Sequence, residues 1–207
     1  MGFAIAAEAA RRGDDVTLIA GPVALKTPKG VRRVDVISAR EMLAAVREAV
    51  VGRAVPARRG GPGVSALPQP VVFISTAAVA DWRPAKCAAK KLKKGEMSGT
   101  LKLVRNPDIL KTIAGLRRAG TARPTVAGLR LVGFAAETDH VLSEAARKCR
   151  EKGLSFVVAN DVSEKGCGFG TDTNRVTFVF PDGMQKKFPL MTKRMVAKRI
   201  IDEVSCL

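Results

Sequence analysis

Residues 129–161 read LRLVGFAAETDHVLSEAARKCREKGLSFVVAND, and the fold turns on them. LRLVGFAAE is apolar without alternation between Arg130 and Glu137, as in a buried strand. DHVLSEAARKCREKG then carries helical spacing and closes on Gly153, and SFVVAND is strand-like again. The same alternation spreads outward from this unit. VVFIST at 71–76 is another continuous apolar run and predicts a second covered strand. TLKLV at 100–104 predicts a strand, and NPDILKTIAGLRRAG a helix with Pro107 near its first turn.

Nearer the N-terminus, residues 3–12 predict a helix closed by Gly13, and residues 16–20 a strand stopped by Gly21-Pro22. A short strand follows at 34–37. The helix after it, over 38–52, has Ser38 as N-cap and Glu41 at the capping-box spacing. At the other end, RVTFVFPDGMQKKFPL alternates on both sides of Pro181-Asp182-Gly183, the pattern of a hairpin. A helix capped by Thr192 closes the chain. The order predicts one α/β domain over 1–207: a doubly wound, mostly parallel Rossmann-like sheet with helices on both faces and a C-terminal β-hairpin. Such a fold ordinarily starts on a strand and a glycine-rich turn, whereas this chain starts on a helix. Its first strand is therefore expected to be missing, with Met1-Gly2 as the tail of the turn. Residues 53–68, rich in Gly, Pro and Arg, and residues 84–99 are expected to be flexible loops.

The 207 residues include 36 basic and 19 acidic side chains, a net charge of +17 that attracts anions without saying which. Four scattered cysteines and one histidine offer no zinc spacing and no disulfide framework, so reduced thiols in a cytoplasmic protein are expected. Glu8 in the apolar N-terminus argues against a signal peptide. No apolar run approaches the ~20 residues that span a bilayer, so no membrane partner is expected.

Ligands of open α/β sheets bind beyond the carboxyl ends of the strands, which directs attention to STAAVAD, RNPD, GFAAET and ANDVSEKGCGFGTD. Asp81 is placed to bind a metal or a sugar hydroxyl, or to cap the next turn. Trp82 and Arg83 beside it could cover a ligand. Lys86, Lys90, Lys91, Lys93 and Lys94 form either a solvated face or a lid over phosphates. Lys148 and Lys152, four apart on a helix, share one face and could serve a phosphate or only solvent. His140 has no supporting ligand or acid nearby in sequence. Gly166, Gly168 and Gly170 lack the strand–turn–helix context of a phosphate loop. No nucleophilic triad can be assembled, and the inventory suits phosphate positioning and charge stabilisation.

GFAIAAEAARRGDDVTLIAGPV, AAVADWRP, KKLKK, LVRNPDIL, VGFAAET and VANDV stand in the order and rough spacing of phosphopantothenoylcysteine synthetase. The sequence resembles that family over nearly all of residues 1–204. The resemblance implies a CTP-dependent ligase of coenzyme A biosynthesis that joins 4′-phosphopantothenate and L-cysteine through an acyl-cytidylate, with Mg²⁺. It implies that Ala77 and Ala78 meet CTP through backbone, and that Asp81 serves the cytidine or its metal. Lys91 would be catalytic, on a flap that orders when substrate arrives. Asn106, Pro107, Asp108, Ile109 and Phe134 would frame the base, while Lys148 and Lys152 hold the triphosphate. A homodimer is implied, with a separate or fused phosphopantothenoylcysteine decarboxylase, and no FMN on this chain. There are two departures from the family. The first strand and the Ser-Asn-His-Gly loop before Lys-Met-Gly are absent, and with them an asparagine that helps stabilise the acyl-cytidylate. The 53–68 loop is also long.

Two rivals make different demands. An NAD(P)-binding Rossmann oxidoreductase wants an acidic residue at the end of the strand at Ile19–Gly21, and none stands there. A basic nucleic-acid-binding module wants aromatics for base stacking, yet aromatics are 4% of residues and tyrosine is absent. No nucleic-acid partner is therefore expected.

Overall fold

The structure, a computed structural model, describes residues 1–54, 70–88, 90, 99–117, 126, 128–137, 141–161, 167 and 170–207. Residues 130–161 form β6 (Arg130–Glu137), α4 (Val141–Lys152) and β7 (Phe156–Asp161). The strands run parallel, with Val132 opposite Phe156 and Glu137 opposite Asp161. Because side chains alternate across a strand, Leu131, Ala135, Val157 and Ala159 enter one apolar cluster and Val132, Phe156 and Val158 the other. All seven are buried, so both faces are covered, as the unbroken apolar composition requires.

This pair is the centre of a five-stranded sheet in the order β10-β9-β7-β6-β3. β3 (Val72–Ile74) lies parallel to β6, and β9 (Thr177–Val179) and β10 (Gln185–Lys187) add the expected antiparallel hairpin. Gly183 closes the hairpin turn with φ +88°, a conformation that side chains with a Cβ disfavour. β1 (Val16–Ala20) and β2 (Val31–Asp35) form a separate parallel pair. On one side of the sheets pack α2 (Ala39–Ala54), α3 (Ile109–Ala114) and α4, through Val46, Val50, Ile113, Ala145 and Cys149. On the other side pack α1 (Gly2–Arg11) and α5 (Lys193–Ser205), through Ile5, Ala9, Val196, Ala197 and Ile200. The fold is thus a Rossmann-like α/β arrangement around a mostly parallel central sheet, with helices on both faces.

Several local expectations hold at residue level. The Glu41 N–H donates to Ser38 Oγ at 3.2 Å, and Glu41 Oε2 accepts from the Ile37 N–H at 2.9 Å. The return bond therefore falls one residue before the cap. Thr192 Oγ1 accepts from the Met195 N–H, as a cap should.

Others shift. The second strand occupies 31–35 rather than 34–37, because its register is set by pairing with β1, Val31 opposite Val16. The helix expected from Pro107 starts at Ile109, since Asp108 caps it by accepting from the Lys111 N–H. The strand expected at 100–104 is β5 (Leu103–Arg105), paired antiparallel with the unforeseen β4 (Trp82–Pro84) in an outlying ribbon. Of the 84–99 segment only Pro84 belongs to β4, and residues 89 and 91–98 lie outside the described residues. The helix α2 runs through Ala54, and the rest of the 53–68 segment lies outside the described residues. A short pair, β8 (Thr173–Asn174) and β11 (Met191–Thr192), also escaped the sequence pattern.

β3 differs in burial too: Val72, Phe73 and Ile74 are only half-buried. β3 hydrogen-bonds to β6 on one edge, and β1 to β2; among the described residues no strand bridges their other edges. Even so, Ile19 and Phe73 pack on one cluster and Val16 and Ile74 on the other, so both pieces share the same two-sided core.

Candidate active site at the carboxyl edge of the sheet

The chain segments that leave β3, β6 and β7 at their carboxyl ends surround a cleft of about 740 Å³. Ser75 to Asp81 form one rim, and Arg105 to Leu110 the rim opposite. Asn106 ties the two together. Its N–H donates to the Asp81 carbonyl at 2.7 Å, and its Nδ2 donates to the Ala80 carbonyl at 2.8 Å. Its Oδ1 accepts from Arg83 at 3.0 Å, and the same guanidinium nitrogen reaches the Arg105 carbonyl at 2.6 Å. The β4–β5 ribbon thus holds both rims in register. The Arg105 guanidinium lies 5.0 Å above the Trp82 ring, a stacked pair at the mouth.

Asp108 does two jobs. Besides capping α3, its Oδ2 meets Lys152 Nζ at 2.8 Å, which joins α3 to α4 under the cleft. Burial works to raise the Asp108 carboxyl, but the Lys111 N–H and the Lys152 ammonium outweigh it and hold the group below its usual range. Lys148 lies on the same face of α4, and both lysines line the cleft. The floor is apolar: Leu110, Gly133, Leu154 and Val157. A Cβ on Gly133 would stand 2.8 Å from Leu154 Cδ1 and 3.4 Å from Leu110 Cδ2, so this close approach needs glycine.

The sequence-derived candidates Ala77, Ala78, Asp81, Asn106, Pro107, Asp108, Ile109, Phe134, Lys148 and Lys152 all line this one cleft. Lys91, Lys93, Lys94, Thr138, His140, Gly166 and Gly168 lie outside the described residues. Asp81 is exposed at the rim, and its carboxylate has no partner among the described residues. No group of three or more His, Cys, Asp or Glu side chains able to hold a metal occurs among the described residues. One free carboxylate is nevertheless enough for a Mg²⁺ that arrives on a triphosphate, because that ion keeps water and phosphate oxygens as most of its ligands. None of the four cysteines is in a disulfide. Burial pushes the Cys149 thiol up to about 11, which makes it a packing residue rather than a nucleophile.

The sequence reading passed over Asn160, Asn174 and Lys193, which also line the cleft. Asn160 is the fifth residue of β7 and Asn174 belongs to the two-residue β8; nothing local marks either as buried.

Comparisons with known proteins bear on the family and the fold. The coenzyme A biosynthesis bifunctional protein CoaBC of Escherichia coli strain K12 is 43% identical over 207 residues, covering 99% of this chain and 45% of that protein. The chain therefore spans less than half the length of the curated relatives it matches. Among solved structures, the C-terminal domain of CoaBC superimposes with a TM-score of 0.71 at 36% identity, over 99% of this chain and 82% of that one. A Cab2 mutant in complex with phosphopantothenate-cysteine shares the fold alone, with a TM-score of 0.53 at 14% identity over 84% of this chain and 53% of that one. A family profile described as the DNA/pantothenate metabolism flavoprotein C-terminal domain matches residues 1–56 and 64–207. With nearly every residue inside that match, the chain belongs to the DNA/pantothenate metabolism flavoprotein C-terminal domain family.

Proposed function

We propose that this chain is a phosphopantothenate–cysteine ligase that uses CTP. The observation that carries the reading is the convergence of ten expected residues, from four stretches of sequence, on one cleft. In the reaction a carboxylate oxygen of 4′-phosphopantothenate attacks the α-phosphorus of CTP and pyrophosphate leaves. The cysteine amine, having lost a proton, then attacks the acyl carbon of the acyl-cytidylate, and CMP leaves as the amide forms.

The groups in hand suit both steps. Lys148 and Lys152 set positive charge against the triphosphate, with Asp108 fixing the direction of Lys152. The exposed backbone of Ala77 and Ala78 is open to the nucleotide, and Asn106 to Ile109 and Phe134 frame the space left for the base. Mg²⁺ bound between the phosphates and Asp81 would neutralise charge on the leaving pyrophosphate. Lys91, which lies outside the described residues, is given to the phosphates by the family resemblance alone. The phosphopantothenate-cysteine held by the Cab2 mutant is the product that this reaction makes. The reading also takes the chain to be one synthetase domain, to form a homodimer, and to work with a phosphopantothenoylcysteine decarboxylase, as the name of the bifunctional relatives implies.

Pyrophosphate release with CTP, Mg²⁺, 4′-phosphopantothenate and cysteine tests the chemistry, with ATP as control. CTP-dependent release is expected, and Lys91→Gln should lower it by roughly 100-fold or more. Release that is indifferent to the nucleotide, or intact in Lys91→Gln, would remove Lys91 and the CTP assignment. The absence of both release and CTP binding would sink the ligase reading.

A further inference from the structure

The cleft has two halves, divided by the sheet. Lys148, Lys152, Asp108 and Leu110 belong to helices on the α4 side. Asn160 follows Phe156 and Val158 in the strand alternation, so its side chain faces the α5 side. Asn174 and Lys193 are on that side as well, where the Lys193 N–H bonds to the Asp172 carbonyl at 2.9 Å just before β8. Asn160 is 9% and Asn174 7% exposed, yet the Oδ1 of each is buried with no hydrogen-bond partner among the described residues. For Asn160 the orientation is fixed by chemistry. Its Nδ2 donates to the Cys167 carbonyl at 3.0 Å, and a carbonyl can only accept, so the oxygen must be the atom left over.

Buried acceptors without donors are rare, and two in one cleft call for a ligand that supplies the donors. Water can fill them while the cleft is empty, but a ligand that displaces it must bring donors or lose affinity. An ionised triphosphate offers only acceptors, so this wall repels it toward the lysines of the other half. The acid partner of the reaction has what the wall lacks: a hydroxyl and an amide N–H along its arm, and a phosphate for Lys193, which has no ion pair among the described residues.

Resting on the ligase reading above, we propose that Asn160 and Asn174 form the acceptor wall of the 4′-phosphopantothenate subsite, taking hydrogen bonds from its hydroxyl and amide N–H. The triphosphate of CTP occupies the opposite half, and the two asparagines select the acid by its donors. They are binding residues.

The test compares Asn160→Leu, Asn174→Leu and Asn174→Asp with the wild type. Calorimetry reads 4′-phosphopantothenate and MgCTP separately, steady-state kinetics give KM for each substrate, and melting gives Tm. Both leucine variants should bind 4′-phosphopantothenate about tenfold more weakly or worse. Their CTP affinity should stay within about twofold; Asn174→Leu should hold its Tm, whereas Asn160→Leu also loses the bond to the Cys167 carbonyl and should melt lower. Asn174→Asp keeps an acceptor oxygen and should retain binding within a few-fold. Unchanged affinity for the acid in both leucine variants would overturn the proposal, as would an equal loss of CTP affinity, a selective rise in KM for cysteine, or an aspartate variant no better than leucine. A wild type that binds CTP but never 4′-phosphopantothenate would overturn the ligase reading along with it.

Discussion

Glu8 carries more structure than its place in a short apolar helix suggests. It is buried; Arg11 donates to its Oε1 at 2.7 Å and its Oε2 at 2.9 Å, and Arg12 donates to Oε1 at 2.9 Å. Arg12 continues to Asp202 at 2.7 Å, so the network pins α1 to α5. Hydrogen bonds from Arg11, working against burial and joined by Arg12, hold the Glu8 carboxyl down from 4.5 to about 2. The folded value lies below the unfolded one, so this stabilisation is complete above the ordinary carboxylate range. It is lost as pH falls from about 5 toward about 2. Melting curves across that interval should show a wild-type slope that Glu8→Gln flattens. At neutral pH the same variant should lose roughly 1–2 kcal/mol, limited because both guanidinium groups reach solvent. Gly133→Ala tests the cleft floor at the same scale. Its methyl would press on Leu154 and Leu110, whose side-chain ends can give a little, so about 1 kcal/mol of stability should go. Urea denaturation of the variant reads that loss directly.

Elements show where local chemistry was sufficient and where it was not. The capping residues Ser38 and Thr192, the hairpin about Gly183 and the buried strands β6 and β7 were legible, because each is specified within a few residues of sequence. Asp108 separates two contributions that sequence could not. Asn is as good an N-cap as Asp, so Asp108→Asn should retain the cap and lose only the Lys152 ion pair, a cost of about 1 kcal/mol or less. Asp108→Ala removes the cap as well and should cost about 1 kcal/mol more. Chemical denaturation of the two variants, each also made with Lys152→Met, isolates the ion pair. A pair that contributes nothing would leave Asp108→Asn at wild-type stability. The displaced second strand and the β4–β5 ribbon were not legible for a different reason. Hydrogen bonds to a partner strand chose their residues, and partner choice is invisible in local periodicity.

At the scale of the molecule the net charge is +17, and the cleft shares its sign: among the described residues it is lined by Arg105, Lys148, Lys152 and Lys193 against Asp81 and Asp108. Half-exposed charges are screened by salt, with a Debye length of about 10 Å at 0.1 M. MgCTP affinity should therefore fall several-fold between about 0.05 and 0.5 M salt, measured by calorimetry, while the melting temperature moves little. Affinity that ignores salt would mean that contacts to the base, not to the phosphates, hold the nucleotide. No helix among the described residues is long and apolar enough to cross a membrane, which agrees with the sequence reading on that point.

What the sequence determined by itself was short in range: which runs are apolar on both faces, that Ser38 and Thr192 cap their helices, and which side chains follow a strand at its ligand edge. Lys148 and Lys152 belong to this group, since four residues along a helix must share a face. The tertiary structure alone decided that β1–β2 stands apart from the main sheet and that Asn106 laces two rims together. It alone placed Asn160 and Asn174 with buried, unpaired oxygens on the far wall from the lysines. Burial and pairing depend on what other segments cover a residue. An asparagine near the end of a strand reads the same in sequence whether water or a closed wall lies beyond it.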